Sequence, residues 1–90
     1  MDTLQKKIQH LLNLFKLNNL SKAELFGKEL IKENPNNVIL YNILGLILTY
    51  QKKTDEAIKW YEKGITINPD FAMIYNNLGM IFKNDFISNF

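Results

Sequence analysis

Apolar residues recur at helical spacing in five stretches of this chain, separated by short polar breaks. The first holds Leu4, Ile8, Leu11, Leu12 and Phe15 on one face of a helix expected from Thr3 to about Lys16. Leu17-Asn18-Asn19-Leu20 interrupts it, with asparagines that tolerate the left-handed conformation of a tight turn. Ser21 and Glu24 then have the spacing of a capping box, opening a second helix that presents Ala23, Leu25, Phe26, Leu30 and Ile31. It stops at Asn34-Pro35, because proline disfavours helical geometry in the residue before it. Asn36 or Asn37 can cap a third helix that reaches about Gln51 and is apolar around most of its circumference. Thr54 caps the fourth, with Asp55 and Glu56 in its first turn at the positive end of the helix dipole. It too ends at Asn-Pro, residues 68 and 69. Asp70 can cap a fifth helix that ends near Lys83, where Asn84-Asp85 reads as a turn. Phe86, Ile87 and Phe90 then remain, too short a segment for more than a stub of a sixth helix.

The two Asn-Pro dipeptides lie 34 residues apart, a period typical of proteins built by stacking helical hairpins. One hairpin fills the interval, folded at Lys52-Lys53-Thr54. Gly45 inside its first helix costs about 1 kcal/mol of propensity relative to alanine, a loss that implies a neighbouring helix needs the space.

The hairpin from Val38 to Pro69 resembles the tetratricopeptide repeat through Tyr41, Leu44, Gly45, Ala57, Tyr61, Gly64 and Pro69, with Leu48 where that family often has tyrosine. Tyr75, Leu78 and Gly79 begin the pattern again. Before it, Ala23 and Pro35 fit, but Lys7, His10 and Leu11 stand where Tyr, Leu and Gly belong. The resemblance implies an all-α solenoid of about two and a half antiparallel hairpins, five helices with room for a short sixth, in a right-handed superhelix. It divides one domain, residues 1–90, into repeats at about 3–35 (degenerate), 36–69 (complete) and 70–90 (partial). Gly45 and Gly79 would each admit a paired helix closely, with Ala57 facing Gly45, while the aromatics fill the gaps between hairpins.

The family's first helices line a concave groove that takes peptides or partner proteins, which implies a groove here of Ile39, Asn42, Leu46, Thr49, Tyr50, Met73, Asn76, Asn77 and Met80. In some relatives an asparagine just before Leu-Gly bonds the backbone of an extended peptide. Asn77 holds that place, but Ile43 and Gln9 hold it in the other repeats, so no asparagine ladder forms. A terminal-carboxylate clamp is also missing, since Leu46 and Tyr50 occupy its central positions. The implied function is non-catalytic binding of a protein or peptide, with Asn42, Asn76 and Asn77 meeting the peptide backbone. The alternative is a substrate-recruiting segment at the front of a larger enzyme such as a transferase.

Composition narrows the alternatives. Eleven lysines and no arginine against nine carboxylates leave a net charge of +2, without the clustered cations and arginine forks that nucleic acid calls for. No cysteine is present, which removes disulfides, thiolate catalysis and Cys-ligated metal, with reducing, cytoplasmic surroundings as the default. The most apolar run, Val38 to Tyr50, falls short of the ~20 residues a membrane span needs. His10 has no nearby Asp or Cys, and no phosphate loop or nucleophile elbow occurs, so neither a catalytic, a cofactor nor a metal site is expected. Met73, Met80, Phe86, Ile87 and Phe90 differ from the polar face of a terminal capping helix. That implies either a longer array or a homodimer, with self-association through helix five or the apolar groove.

Overall fold

Five helices form: α1 Thr3–Lys16, α2 Leu20–Glu33, α3 Val38–Tyr50, α4 Thr54–Ile67 and α5 Ala72–Ser88. They were obtained in a computed structural model that describes residues 3–88, with side chains through residue 83. Each helix packs on the next through a short connection, and α3 also touches α1 and α5, giving an all-α stack of hairpins about 50 Å long. Helix α5 continues through Asn84 and Asp85 rather than turning there. Asn and Asp are weak helix formers but not breakers, and no Gly or Pro follows to stop the helix. No sixth helix occurs among the described residues. The side chains of Phe86, Ile87 and Phe90, expected to add to the apolar end, lie outside the described residues.

The 34-residue period has a physical counterpart at each junction. Tyr41 Oη donates to Pro35 O at 2.7 Å, and Tyr75 Oη donates to Pro69 O at 2.8 Å. Each aromatic of the repeat is thereby tied to the Asn-Pro before it. The tight turns repeat too, with left-handed backbone at Asn18 (φ 61°) and Lys52 (φ 67°). Asparagine accepts that conformation readily, whereas a lysine there is strained by its Cβ.

Several expected caps form differently. Asn37 caps α3, its side chain accepting from Ile39 N at 3.0 Å. The same place before α5 holds Phe71, which has no side-chain acceptor, while the Asp70 backbone N–H donates to Asn68 Oδ1 at 3.1 Å. Helix α4 begins with Thr54 already in its first turn and Lys53 at the cap position, without a side-chain cap bond. Helix α2 begins at Leu20, with Asn19 before it, so Ser21 lies inside the helix and the capping box does not form. Leu25, assigned to the packing face of α2, points outward and is 64% exposed, while Gly27 is buried.

The irregular first repeat is an exchange of sizes. In the second repeat α3 contributes a gap at Gly45 and α4 fills it with the Tyr61 ring: a Cβ at Gly45 would lie 2.5 and 2.6 Å from Tyr61 Cζ and Cδ1. Tyr61, not Ala57, is therefore the group that needs the missing side chain. One period earlier the bulky residue is on the first helix, Leu11, and the gap is on the second, Gly27. A Cβ at Gly27 would meet Leu11 Cδ1 at 3.7 Å and Leu44 Cδ1 at 3.5 Å, ordinary contact distances. The large residue and the glycine thus change sides of the hairpin, and Leu44 helps Leu11 fill the space at Gly27. Leu11, Leu44 and Tyr61 are all fully buried as a result. Gly64 admits Ile74 of α5 in the same manner, with Ile74 Cδ1 2.6 Å from where a Cβ would stand.

Candidate functional site

Helices α1, α3 and α5 lie side by side, because each is the first helix of its hairpin and α3 touches both others. Between α3 and α5 opens a cleft of about 270 Å³ lined by Leu46, Thr49, Tyr50, Lys52, Tyr61, Asn77, Met80 and Ile81. Helical spacing produces the walls: Leu46, Thr49 and Tyr50 project from one side of α3, and Asn77, Met80 and Ile81 from one side of α5. Tyr50 extends the surface toward α1, its ring meeting Phe15 edge-on at 5.0 Å.

Of the nine residues expected to form a groove, Leu46, Thr49, Tyr50, Asn77 and Met80 come together in this cleft. Ile39, Met73 and Asn76 are exposed, but outside it. Asn42 differs: it is 3% exposed, and its Oδ1 accepts from Asn77 Nδ2 at 2.7 Å. Asn42 is thus mostly withdrawn into the junction between the two helices, with one lone pair of its carbonyl taken by Asn77. The amide pair joins α3 to α5, giving the apolar interface between repeats a directional bond. Lys52 and Tyr61 line the cleft without having been expected there. Lys52 could have been found from its place in the turn after α3. Tyr61 belongs to α4 and reaches the cleft only because Gly45 lets its ring through.

The floor of the cleft is chemically unusual. Tyr61 Oη is the one buried side-chain oxygen or nitrogen without a hydrogen bond among the described residues. Thr49 is beside it and donates its own hydroxyl hydrogen to Gly45 O at 2.8 Å. Burial pushes the Tyr61 pKa up to about 12, with the Thr49 hydroxyl opposing the shift and Tyr50 adding to it. The phenol is therefore neutral at physiological pH and available as a donor. Removing it should relieve an unsatisfied polar group, so Tyr61→Phe is expected to raise stability by about 1 kcal/mol, read as a higher urea midpoint at unchanged slope.

A second polar cluster holds the repeats together from the other side. Glu24 Oε2 accepts from Lys28 Nζ at 2.8 Å, and its Oε1 accepts from Gln51 Nε2 at 2.8 Å and Lys53 Nζ at 2.9 Å. Lys28 also reaches Glu56 at 3.2 Å. Thus the glutamate expected to cap its own helix instead joins α2 to the turn between α3 and α4. Burial alone would raise its pKa, but the bonds from Lys28, Lys53 and Gln51 outweigh burial and hold it at about 2, below the ordinary 4.5. The bond from Glu24 raises the Lys28 pKa in turn, against its own burial. A carboxylate with a depressed folded pKa stabilises the fold above its unfolded pKa, and that stabilisation is lost as pH falls from about 4.5 toward about 2. Glu24 is only 14% exposed, but its lysines are 36% and 45% exposed, and screening reduces the cluster to about 1 kcal/mol. Glu24→Gln is expected to lose that amount at pH 7 and to converge on the parent protein only as pH falls to about 2 and below, measured by urea titration at each pH.

His10 is exposed and packs edge-on to Phe26 at 5.3 Å. Among the described residues no three His, Cys, Asp or Glu side chains gather where they could hold a metal ion, and no helix is long and apolar enough to cross a membrane.

Comparison with known proteins adds to this geometry. Residues 45–85 match a family model described as TPR repeat. The chain is 31% identical to the peroxisomal targeting signal receptor of Kluyveromyces lactis across 68% of its own length and 12% of the receptor's. A 32% identical stretch of the Candida glabrata receptor covers 60% of the chain and 9% of that protein. The uncharacterized protein ycf37 of Pyropia yezoensis is 37% identical across 53% of the chain and 29% of its own length. The chain therefore spans less than a third of each of these relatives.

Proposed function

We infer that this chain, whose residues 45–85 belong to the tetratricopeptide-repeat family, is a non-catalytic module that binds a peptide or partner protein. Its binding surface is the side of α1, α3 and α5 that carries the cleft, and its setting is the cytoplasm. The observation that carries this reading is the cleft itself, in which Leu46, Tyr50 and Met80 offer apolar surface around a few polar groups. That combination is the usual make-up of a ligand site: apolar walls for affinity, sparse donors for orientation. Met80 and Met73 add side chains that adjust to varied apolar partners. Asn77 and the exposed Asn76 supply the polar contacts for a peptide backbone, with Asn42 acting through Asn77. The receptors named above favour a short targeting peptide as the ligand, although the chain spans only 12% and 9% of them. Recruitment of substrate to a larger enzyme would use the same surface.

The test is a fluorescence anisotropy titration with random-sequence peptides and with a peptide ending in Ser-Lys-Leu, a peroxisomal address. Met80→Glu is expected to weaken the tightest peptide at least tenfold, while Leu25→Glu, on the exposed side of α2, leaves it unchanged. Equal affinity in both variants would place the ligand elsewhere.

A further inference from the structure

The cleft carries one charge. Lys52 is the only ionised side chain among the described residues that line it, exposed at the end where α3 turns into α4. Lys7, Lys28 and Lys53 pair with glutamates and Lys63 lies over the Trp60 ring, whereas the Lys52 ammonium has no ion pair or hydrogen bond among the described residues. It is not spent on closing the helix either. Leu48 O accepts from Lys53 N at 2.9 Å and Thr49 O from Lys52 N at 3.0 Å, so backbone N–H groups already satisfy the last turn of α3. The position is a poor one for lysine. Its backbone is left-handed (φ 67°), a conformation that a Cβ strains and that asparagine tolerates better. One period earlier the chain has that asparagine: Asn18 (φ 61°) sits in a turn where Leu14 O accepts from Asn19 N at 2.9 Å and Phe15 O from Asn18 N at 3.0 Å. The two turns are the same, and only one of them borders the cleft. A residue kept against its backbone preference points to a use for its side chain.

We propose that Lys52 gives the cleft a preference for peptides in which an acidic side chain adjoins an apolar one. The apolar group packs on Leu46 and Met80, and the carboxylate pairs with the Lys52 ammonium at the end of the cleft. The proposal rests on the reading of the cleft as a peptide site and adds the chemistry of the peptide. Charge complementarity carries it. No carboxylate lines the cleft, so none competes for the ammonium and none repels an incoming acid, while Glu24 and Glu56 are engaged by Lys28 and Lys53 in the other cluster. A chain end is the poorer occupant, because Leu46 and Tyr50 stand where a clamp for a terminal carboxylate would place its donors. An exposed pair of this kind adds little affinity. It does discriminate, since a basic side chain in the same place meets a like charge.

Fluorescence anisotropy with end-blocked peptide libraries tests it, each random except for Leu-Glu, Leu-Gln or Leu-Lys at the centre, beside one that ends in leucine with a free carboxylate. The Leu-Glu library is expected to bind about threefold more tightly than Leu-Gln at low salt, with Leu-Lys weakest, and the difference is expected to shrink in about 0.5 M sodium chloride. Lys52→Asn is expected to abolish the preference while raising the urea midpoint, because it gives the turn the residue that Asn18 already supplies. A purely structural lysine would not separate those two effects. Lys52→Glu is expected to reverse the order, so that Leu-Lys binds best. Equal binding of Leu-Glu and Leu-Gln by the parent chain, or a preference that survives Lys52→Asn, would overturn the proposal and leave the peptide reading of the cleft standing. Tightest binding by the free-ended library would overturn it too, by giving the ammonium to a chain end. Libraries that bind Met80→Glu as well as the parent chain would overturn the reading of the cleft, and this proposal with it.

Discussion

Gly45→Leu is expected to destabilise the chain by about 3 kcal/mol, a large part of the roughly 5 to 15 kcal/mol that holds a small domain together. The added side chain would enter space held by the Tyr61 ring, which is itself fully buried and cannot swing into solvent. Helix propensity works the other way, since leaving glycine gains up to about 1 kcal/mol, and it does not offset the overlap. The first repeat indicates the remedy. There Leu11 sits opposite Gly27, so Gly45→Leu combined with Tyr61→Gly copies an arrangement the chain already contains. The double variant is expected to be more stable than the sum of the single losses by at least about 1 kcal/mol, measured as coupling in a double-mutant cycle from urea midpoints. Strict additivity would mean that the two positions do not share one space.

Leu44→Ala is expected to cost about 2 to 5 kcal/mol. Leu44 is fully buried, and its Cδ1 lies 3.5 Å from where a Cβ at Gly27 would stand, so it fills the first repeat's gap from the second repeat. Truncation leaves that gap unfilled and removes contact between α2 and α3. Adding Gly27→Ala to the truncated chain is expected to restore part of the loss, because the new methyl occupies the vacated space. A full urea titration of the parent chain and the two variants reads both effects, and a loss below about 1 kcal/mol would mean that the junction closes around the defect.

The architecture was legible because its determinants repeat. Asn-Pro at 34 and 68, Tyr41 and Tyr75, and Gly45 and Gly79 recur at one interval, and the interval and helical periodicity place all five helices. What failed was local chemistry that depends on a distant neighbour. Ser21 and Glu24 satisfy the sequence rule for a capping box, yet Glu24 finds three donors on Lys28, Gln51 and Lys53, two of them across the junction. Asn42 has the spacing of a groove residue, and spacing does not reveal that Asn77 of the next repeat also bonds its carbonyl. The exchange at Leu11 and Gly27 could have been seen by shifting Gly45 and Tyr61 back one period, which shows the large residue and the glycine on opposite helices. Gly79 has the same sequence setting as Gly45, yet a Cβ there meets nothing within 4 Å among the described residues, because the ring that fills such a gap comes from another helix.

The most direct test of the binding reading is a chemical-shift map of the tightest-binding peptide on the isotope-labelled chain. Shifts are expected at Leu46, Thr49, Tyr50, Asn77 and Met80, with Leu25 and the Glu24–Lys53 cluster undisturbed. Shifts confined to α2 and α4, with the side chains of the cleft unmoved, would contradict it.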